Sequence, residues 1–182
     1  MRHLAVASIV LLSACASSGP SVAPRPDQTM RIPTSNATGG STISIAQTES
    51  PSQRTIPATA ARIWDAIPRV YQTLGLPITD RNPDTRTIGT TSYKVRRRLG
   101  NAPLSRYIDC GSTQGSASAD SYEVLLNVTT RLAPGAGDST AVSTTVDAMA
   151  RPVFVSGEYI NCGSTRALEK RFFELLSVEL HP

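Results

Sequence analysis

With 182 residues, 40% of them hydrophobic, the chain has material for one globular domain with a core of its own. Its formal net charge of +4 falls to +3 once the leader described below removes Arg2, too mild a balance to argue for nucleic acid as a partner. Arg supplies nearly all the positive charge, Lys94 and Lys170 being the only lysines; this is a bias of composition that carries no function by itself.

Arg2 and His3 form a small positive region, and Leu4 to Leu12 an apolar run of nine residues. A membrane-crossing helix needs about 20, so residues 1–14 read as a signal peptide and not as a span. Leu12-Ser13-Ala14-Cys15 follows at once and resembles the lipobox of bacterial lipoproteins, in which small residues precede a cysteine directly after an apolar run. The resemblance implies cleavage before Cys15 and acylation of its thiol and its new amine. Several acyl chains then anchor firmly where one is marginal. It also implies the outer membrane with the domain in the periplasm, because Asp after the cysteine favours inner-membrane retention and Ala16 stands there instead. The competing reading is a secreted protein with an ordinary cleavage site and a chance cysteine.

Residues 15–53 are rich in Ser, Thr, Pro, Ala and Gly and hold no aromatic residue, too little to bury against their own ordering entropy. They are expected to be a lipidated, disordered tether with a reach of roughly 35 Å. Within them Thr42-Ile43-Ser44-Ile45 alternates and reads as a candidate edge strand. One domain, 54–182, should open with a short strand at Arg54-Thr55-Ile56, ended by Pro57. Thr59 then caps a helix in which Ile63, Ile67, Val70, Tyr71 and Leu74 recur at helical spacing, and Gly75 ends it in the left-handed position. Pro68 inside this pattern predicts a kink near Trp64.

Asp80-Arg81-Asn82-Pro83-Asp84 is turn chemistry between the extended Leu76 to Thr79 and an alternating strand from Thr85 to Val95, which makes a hairpin. Alternation puts Tyr93 and Val95 on one face and Lys94, Arg96 and Arg98 on the other, while Arg97 would fall on the buried side. The strand should therefore end near Arg96 or bulge there. This run of charge reads either as a solvated strand end or as a contact for phosphate groups of lipid A or phospholipid, or for an acidic partner.

Tyr107-Ile108-Asp109-Cys110-Gly111-Ser112-Thr113 returns at 159 to 165 with Asn161 in place of Asp109 as the one change. Cys110 and Cys162 are the only cysteines beyond Cys15, and an even pair in an exported chain is expected to be a disulfide. Between the phrases, Tyr122 to Leu132 and Val142 to Ala150 alternate on either side of Pro134-Gly135-Ala136-Gly137-Asp138, which gives a second antiparallel hairpin. After them Ser164 or Thr165 should cap a last helix with Leu168, Phe172, Leu175 and Leu176 inward, Phe173 and Leu180 extending that stripe, and Glu169, Lys170, Arg171, Glu174 and Glu179 outward.

The order of elements predicts an α+β domain: an antiparallel sheet of about five strands, two helices on one face and one disulfide. Ile63-Trp64, Leu74-Gly75-Leu76, Ile78, Asp84 and Gly89 resemble the helix, Gly, strand, Asp turn and Gly of the helix-grip domains in the C subunit of the outer-membrane barrel-assembly machinery, itself a lipoprotein. This chain departs from that subunit in having one such domain where the subunit has two, and in its disulfide. The resemblance implies a helix-grip-like fold and an accessory or scaffold role in envelope assembly, with an envelope protein as partner and the membrane contacted through the N-terminal lipid. The alternative is a module that binds a lipid or small apolar ligand in a groove between helix and sheet, with Trp64, Tyr71, Tyr93, Lys94, Arg96, Arg97 and Arg98 as its surface.

An enzyme is not expected. The one histidine beyond the leader, His181, is next to last, so nucleophilic catalysis would lack a held base. Asp80 and Asp84 belong to a turn, and Glu123 and Asp147 to the polar faces of strands. Asp109 alternates with Asn161 in the repeated phrase, which fits a turn role shared by Asp and Asn. No phosphate loop and no metal-ligand spacing is present, so neither a cofactor nor a metal is called for.

Overall fold

The computed structural model describes residues 51–154 and 157–181, together with the backbone of 30–36 and 39–45. The leader and Cys15 lie outside the described residues. The elements are β1 (Met30–Asn36), β2 (Gly39–Ile45), β3 (Ser52–Ile56), α1 (Ala60–Leu74), β4 (Asp80–Asn82), β5 (Thr87–Arg96), β6 (Arg98–Leu99), β7 (Ala102–Pro103), β8 (Ile108–Asp109), β9 (Ser112–Thr113), β10 (Ser116–Ala117), β11 (Glu123–Pro134), β12 (Thr140–Arg151), β13 (Ile160–Ser164) and α2 (Ala167–Leu180).

The long hairpin of β11 and β12 is the centre of an α+β fold, and its register runs unbroken from Glu123 opposite Arg151 to Pro134 opposite Thr140. Period-two alternation buries Val124, Leu126, Val128 and Leu132 on one strand and Val142, Val146, Ala148 and Ala150 on the other. The opposite face carries Thr129, Arg131 and Asp147 in water. β5 pairs with the free side of β11, and β4 with β5. The other side of β12 is shared, with β3 along its first residues and β13 along its last, and β8 adds to β13.

The main sheet therefore holds seven strands among the described residues, more than the five or so expected. The excess comes from β8 and β13, while β4 takes Asp80–Asn82, expected as turn, in place of the expected Leu76 to Thr79; all three are short pieces of turn or Gly/Ser/Cys sequence that have no alternation of their own. They are extended because a neighbouring strand supplies their backbone hydrogen bonds. A second sheet, in the order β1-β2-β9-β10, joins the N-terminal hairpin to the loop after Cys110. This corrects the disordered tether over 30–36 and 39–45, and the alternating Thr42 to Ile45 lies within β2. Pairing with each other and with β9 offsets the ordering entropy that composition alone could not.

Both helices cover the buried face. Thr59 Oγ1 accepts the Arg62 N–H at 3.4 Å, and Gly75 at φ 75° ends α1, its N–H donating to the Gln72 carbonyl. α1 is one helix through Pro68. Tyr71 lies in the core, where its hydroxyl meets Thr130 Oγ1 at 3.0 Å and its ring meets Phe172 of α2 edge to face at 6.1 Å. The tyrosine read as a ligand-facing residue is thus a core residue with a satisfied hydroxyl.

α2 buries Leu168, Phe172, Phe173, Leu176 and Leu180. Its capping position is Arg166, at φ 66°, one residue after the expected cap. The expected residues still serve the helix start: Ser164 Oγ accepts the Arg166 N–H at 3.0 Å and Thr165 Oγ1 the Ala167 N–H at 3.4 Å. Glu169, expected on the outer face, is 1% exposed. It belongs to a second buried row with Phe173, Leu176 and Leu180, because the apolar stripe of this helix is wider than a single line of residues.

Candidate functional site at one end of the main sheet

β5, β11 and β12 bring their ends together at Glu123. Register sets Glu123 directly opposite Arg96 on one side and Arg151 on the other. Arg96 Nη2 donates to Glu123 Oε2 at 2.9 Å, Arg151 Nη2 and Nε to Oε1 at 2.9 and 3.2 Å, and Tyr159 Oη to Oε1 at 3.1 Å. Arg151 also lies over the Tyr159 ring, 4.9 Å from its centre. The Arg96 hydrogen bond first, and then those from Arg151 and Tyr159, hold the Glu123 carboxyl at about 2. Partial burial and the carboxylate it donates to push the Tyr159 phenol up.

A cavity of about 490 Å³ opens beside this cluster, lined by Arg96, Glu123, Arg151, Pro152, Val153, Phe154 and Gly157. Phe154 is 96% exposed. Lys94 lies on the same strand two residues before Arg96, and Arg97 leaves the strand at φ 63°, so β5 ends at Arg96 as its alternation predicts. The bulge lies earlier, at Ser92 with φ 52°, whose N–H donates to Asn127 Oδ1 at 2.7 Å. It brings Tyr93 and Val95 onto the face of Leu126 and Val124. Arg98 gives its guanidinium to the Asn101 carbonyl.

Trp64 stands elsewhere. It is half-buried under the Arg81 guanidinium, 4.9 Å away, beside a recess of about 250 Å³ lined by Ala60, Ala61, Asp65, Pro83 and Arg86. Arg86 and Arg96 bracket β5, so this recess and the cationic end lie roughly 30 Å apart along the strand. The expected aromatic and basic surface is therefore three places: a core residue (Tyr71), a recess (Trp64), and a charged sheet end with Lys94, Arg96, Arg97 and Arg98, near which Tyr93 packs half-buried against the core.

The disulfide is present between Cys110 and Cys162, with S–S 2.08 Å and Cα atoms 4.4 Å apart. Antiparallel pairing of Asp109 with Gly163 and Ile108 with Ser164 sets the repeated phrases side by side, and Thr165 N–H donates to the Tyr107 carbonyl at 2.9 Å. Asp109 Oδ1 accepts the Gly111 N–H at 2.9 Å, a local turn bond of the kind the Asp/Asn exchange suggested. The copies differ in their outer partners: Ser112 and Thr113, after the first cysteine, join β2, while Ile160 to Cys162, up to the second, join β12.

Sequence reasoning missed the Arg96–Glu123–Arg151 cluster. A hairpin closed around 135–139 already implies Glu123 opposite Arg151, so its register was the signal. It also missed a cavity of about 580 Å³ between the end of α1 and the start of α2, where Arg106, Lys170 and Arg171 gather with Glu174. Among the described residues, no group of three His, Cys, Asp or Glu side chains is placed to hold a metal ion, and no helix is long and apolar enough to cross a membrane. No protein-family model matches the chain, and no curated protein matches it either.

Proposed function

We propose that this chain is a lipid-anchored accessory protein of the bacterial outer envelope, acting through contacts with an envelope protein partner and without chemistry of its own. The observation that carries the reading is Leu12-Ser13-Ala14-Cys15 directly after an apolar run of nine residues. A sheet covered by two helices and closed by the Cys110–Cys162 bond supports a helix-grip-like scaffold built for an oxidising compartment. Glu123 supports a structural rather than a catalytic role for the best-formed polar cluster, since both its oxygens are engaged by cations and its low pKa removes it as a base near neutrality. Against an interior ligand groove stand Ile63, Ile67, Tyr71 and Phe172, which fill the space between helices and sheet.

The lipid anchor is tested by intact mass and N-terminal peptide analysis of the protein purified from membranes. The expected product begins at Cys15 and carries acyl chains on its thiol and its amine. A product that begins at another residue with Cys15 unmodified overturns the anchor.

A further inference from the structure

We propose that the end of the main sheet around Phe154 is a membrane-contact edge that takes the headgroup layer of a bilayer containing anionic phospholipid. Phe154 is the most exposed large apolar side chain among the described residues, at 96% against 64% for Val178, the next. It shares one cavity with Val153, Arg96 and Arg151, so an apolar tip stands beside cations. Glu123 already neutralises part of the Arg96 and Arg151 charge. The Lys94 and Arg97 side chains make no hydrogen bond or ion pair among the described residues, the Arg97 carbonyl alone accepting the Leu104 N–H, and the Arg98 guanidinium meets only a carbonyl, which leaves its charge uncompensated.

An exposed aromatic ring beside cations has the chemistry of an interfacial anchor: the ring seats at headgroup depth and the cations meet lipid phosphates. A single protruding phenyl ring is a poor centre for a protein interface, which needs about 800 Å² on each partner. The N-terminal hairpin also docks close to this end, because β2 pairs with β9 and Thr113 of β9 lies 3.1 Å from the hydroxyl of Tyr122, the neighbour of Glu123. The inference does not depend on acylation of Cys15. Where that anchor exists, the fifteen links of chain from Cys15 to Met30 keep Met30 within about 50 Å of the lipidated cysteine.

The test uses the full chain carrying Phe154→Trp in a Trp64→Phe background, so that one indole reports the edge. It is mixed with vesicles of phosphatidylcholine alone or of phosphatidylcholine and phosphatidylglycerol in equal parts, some with brominated acyl chains. Emission should shift to the blue and be quenched by the brominated chains only where phosphatidylglycerol is present. Lys94→Gln with Arg97→Gln should weaken that engagement by about 30-fold. Emission that stays at its solvent-exposed wavelength on both vesicles overturns the proposal, as does a shift of equal size on both that ignores the charge substitutions. A shift produced by an envelope protein and not by lipid also overturns it. Phe154 makes too few contacts for its replacement to unfold the domain, and circular dichroism of the variant checks this. The N-terminal mass read on the same sample separates failure of this edge from failure of the anchor.

Discussion

Glu123 and Glu169 are both largely buried, and their surroundings move them in opposite directions. Arg96 and Arg151 hold Glu123 at about 2. Burial pushes Glu169 up and Asp147 adds repulsion, against the opposing pull of Ser164 Oγ, which donates to its Oε1 at 2.7 Å, and of Arg166 3.7 Å away; Oε2 has no hydrogen-bond partner among the described residues. The consequences for stability have opposite signs. Glu123, depressed in the fold, contributes stability that is complete above its unfolded value of 4.5 and is lost as pH falls toward 2. Glu169, raised in the fold, costs stability when ionised, and that cost is relieved as pH falls from neutral toward its unfolded value of 4.5. Glu169→Gln should therefore raise the urea midpoint relative to wild type more at pH 8 than at pH 5. A difference equal at the two values would contradict the buried-carboxylate account. Glu123→Gln should lower the midpoint at pH 7 and lose its effect in strong acid.

Among the elements, the disulfide and α2 act together. Ser164 and Thr165, within three residues of Cys162, bond the first N–H groups of α2, so the bridge holds the helix start against the loop that carries Cys110. Closing a loop across 52 positions should stabilise the fold by about 4 kcal/mol on the chain-entropy model. Replacing both cysteines with Ala should remove most of this, with hydrogen exchange rising first at β8, β13 and the opening turn of α2 and last in β11. Exchange that rises uniformly would deny the bridge its local role. The β11–β12 hairpin, β5 and the two helices were legible because Val, Ile, Leu and Thr recur at a period of two or near four, and Thr59 and Gly75 mark the ends of α1, but the partner of β5 is Asp80–Asn82, inside the expected turn, and not the expected arm Leu76 to Thr79. β13 was not legible because Asn161-Cys162-Gly163 has no period and is extended only by pairing with β12 and β8. Glu169 was misplaced because polarity was taken for exposure, although its spacing to Phe173, Leu176 and Leu180 is that of an inward row. The sheet-end cluster needed the register of three strands at once, which no single run of residues contains.

At the scale of the molecule, a covered sheet, a stapled loop and a charged edge make up the body that the proposed function sets on a lipid anchor. Its two helices close one face of the sheet, and the face bearing Thr129, Arg131 and Asp147 is left for contact. The central claim is that this body works by holding a protein of the envelope. The most direct measurement is to tag the C-terminus, extract the protein from membranes in mild detergent, and determine by mass spectrometry which proteins and lipids elute with it. The account predicts an envelope protein in stoichiometric amount. A bound lipid with no protein companion, or an eluate with neither, would contradict it.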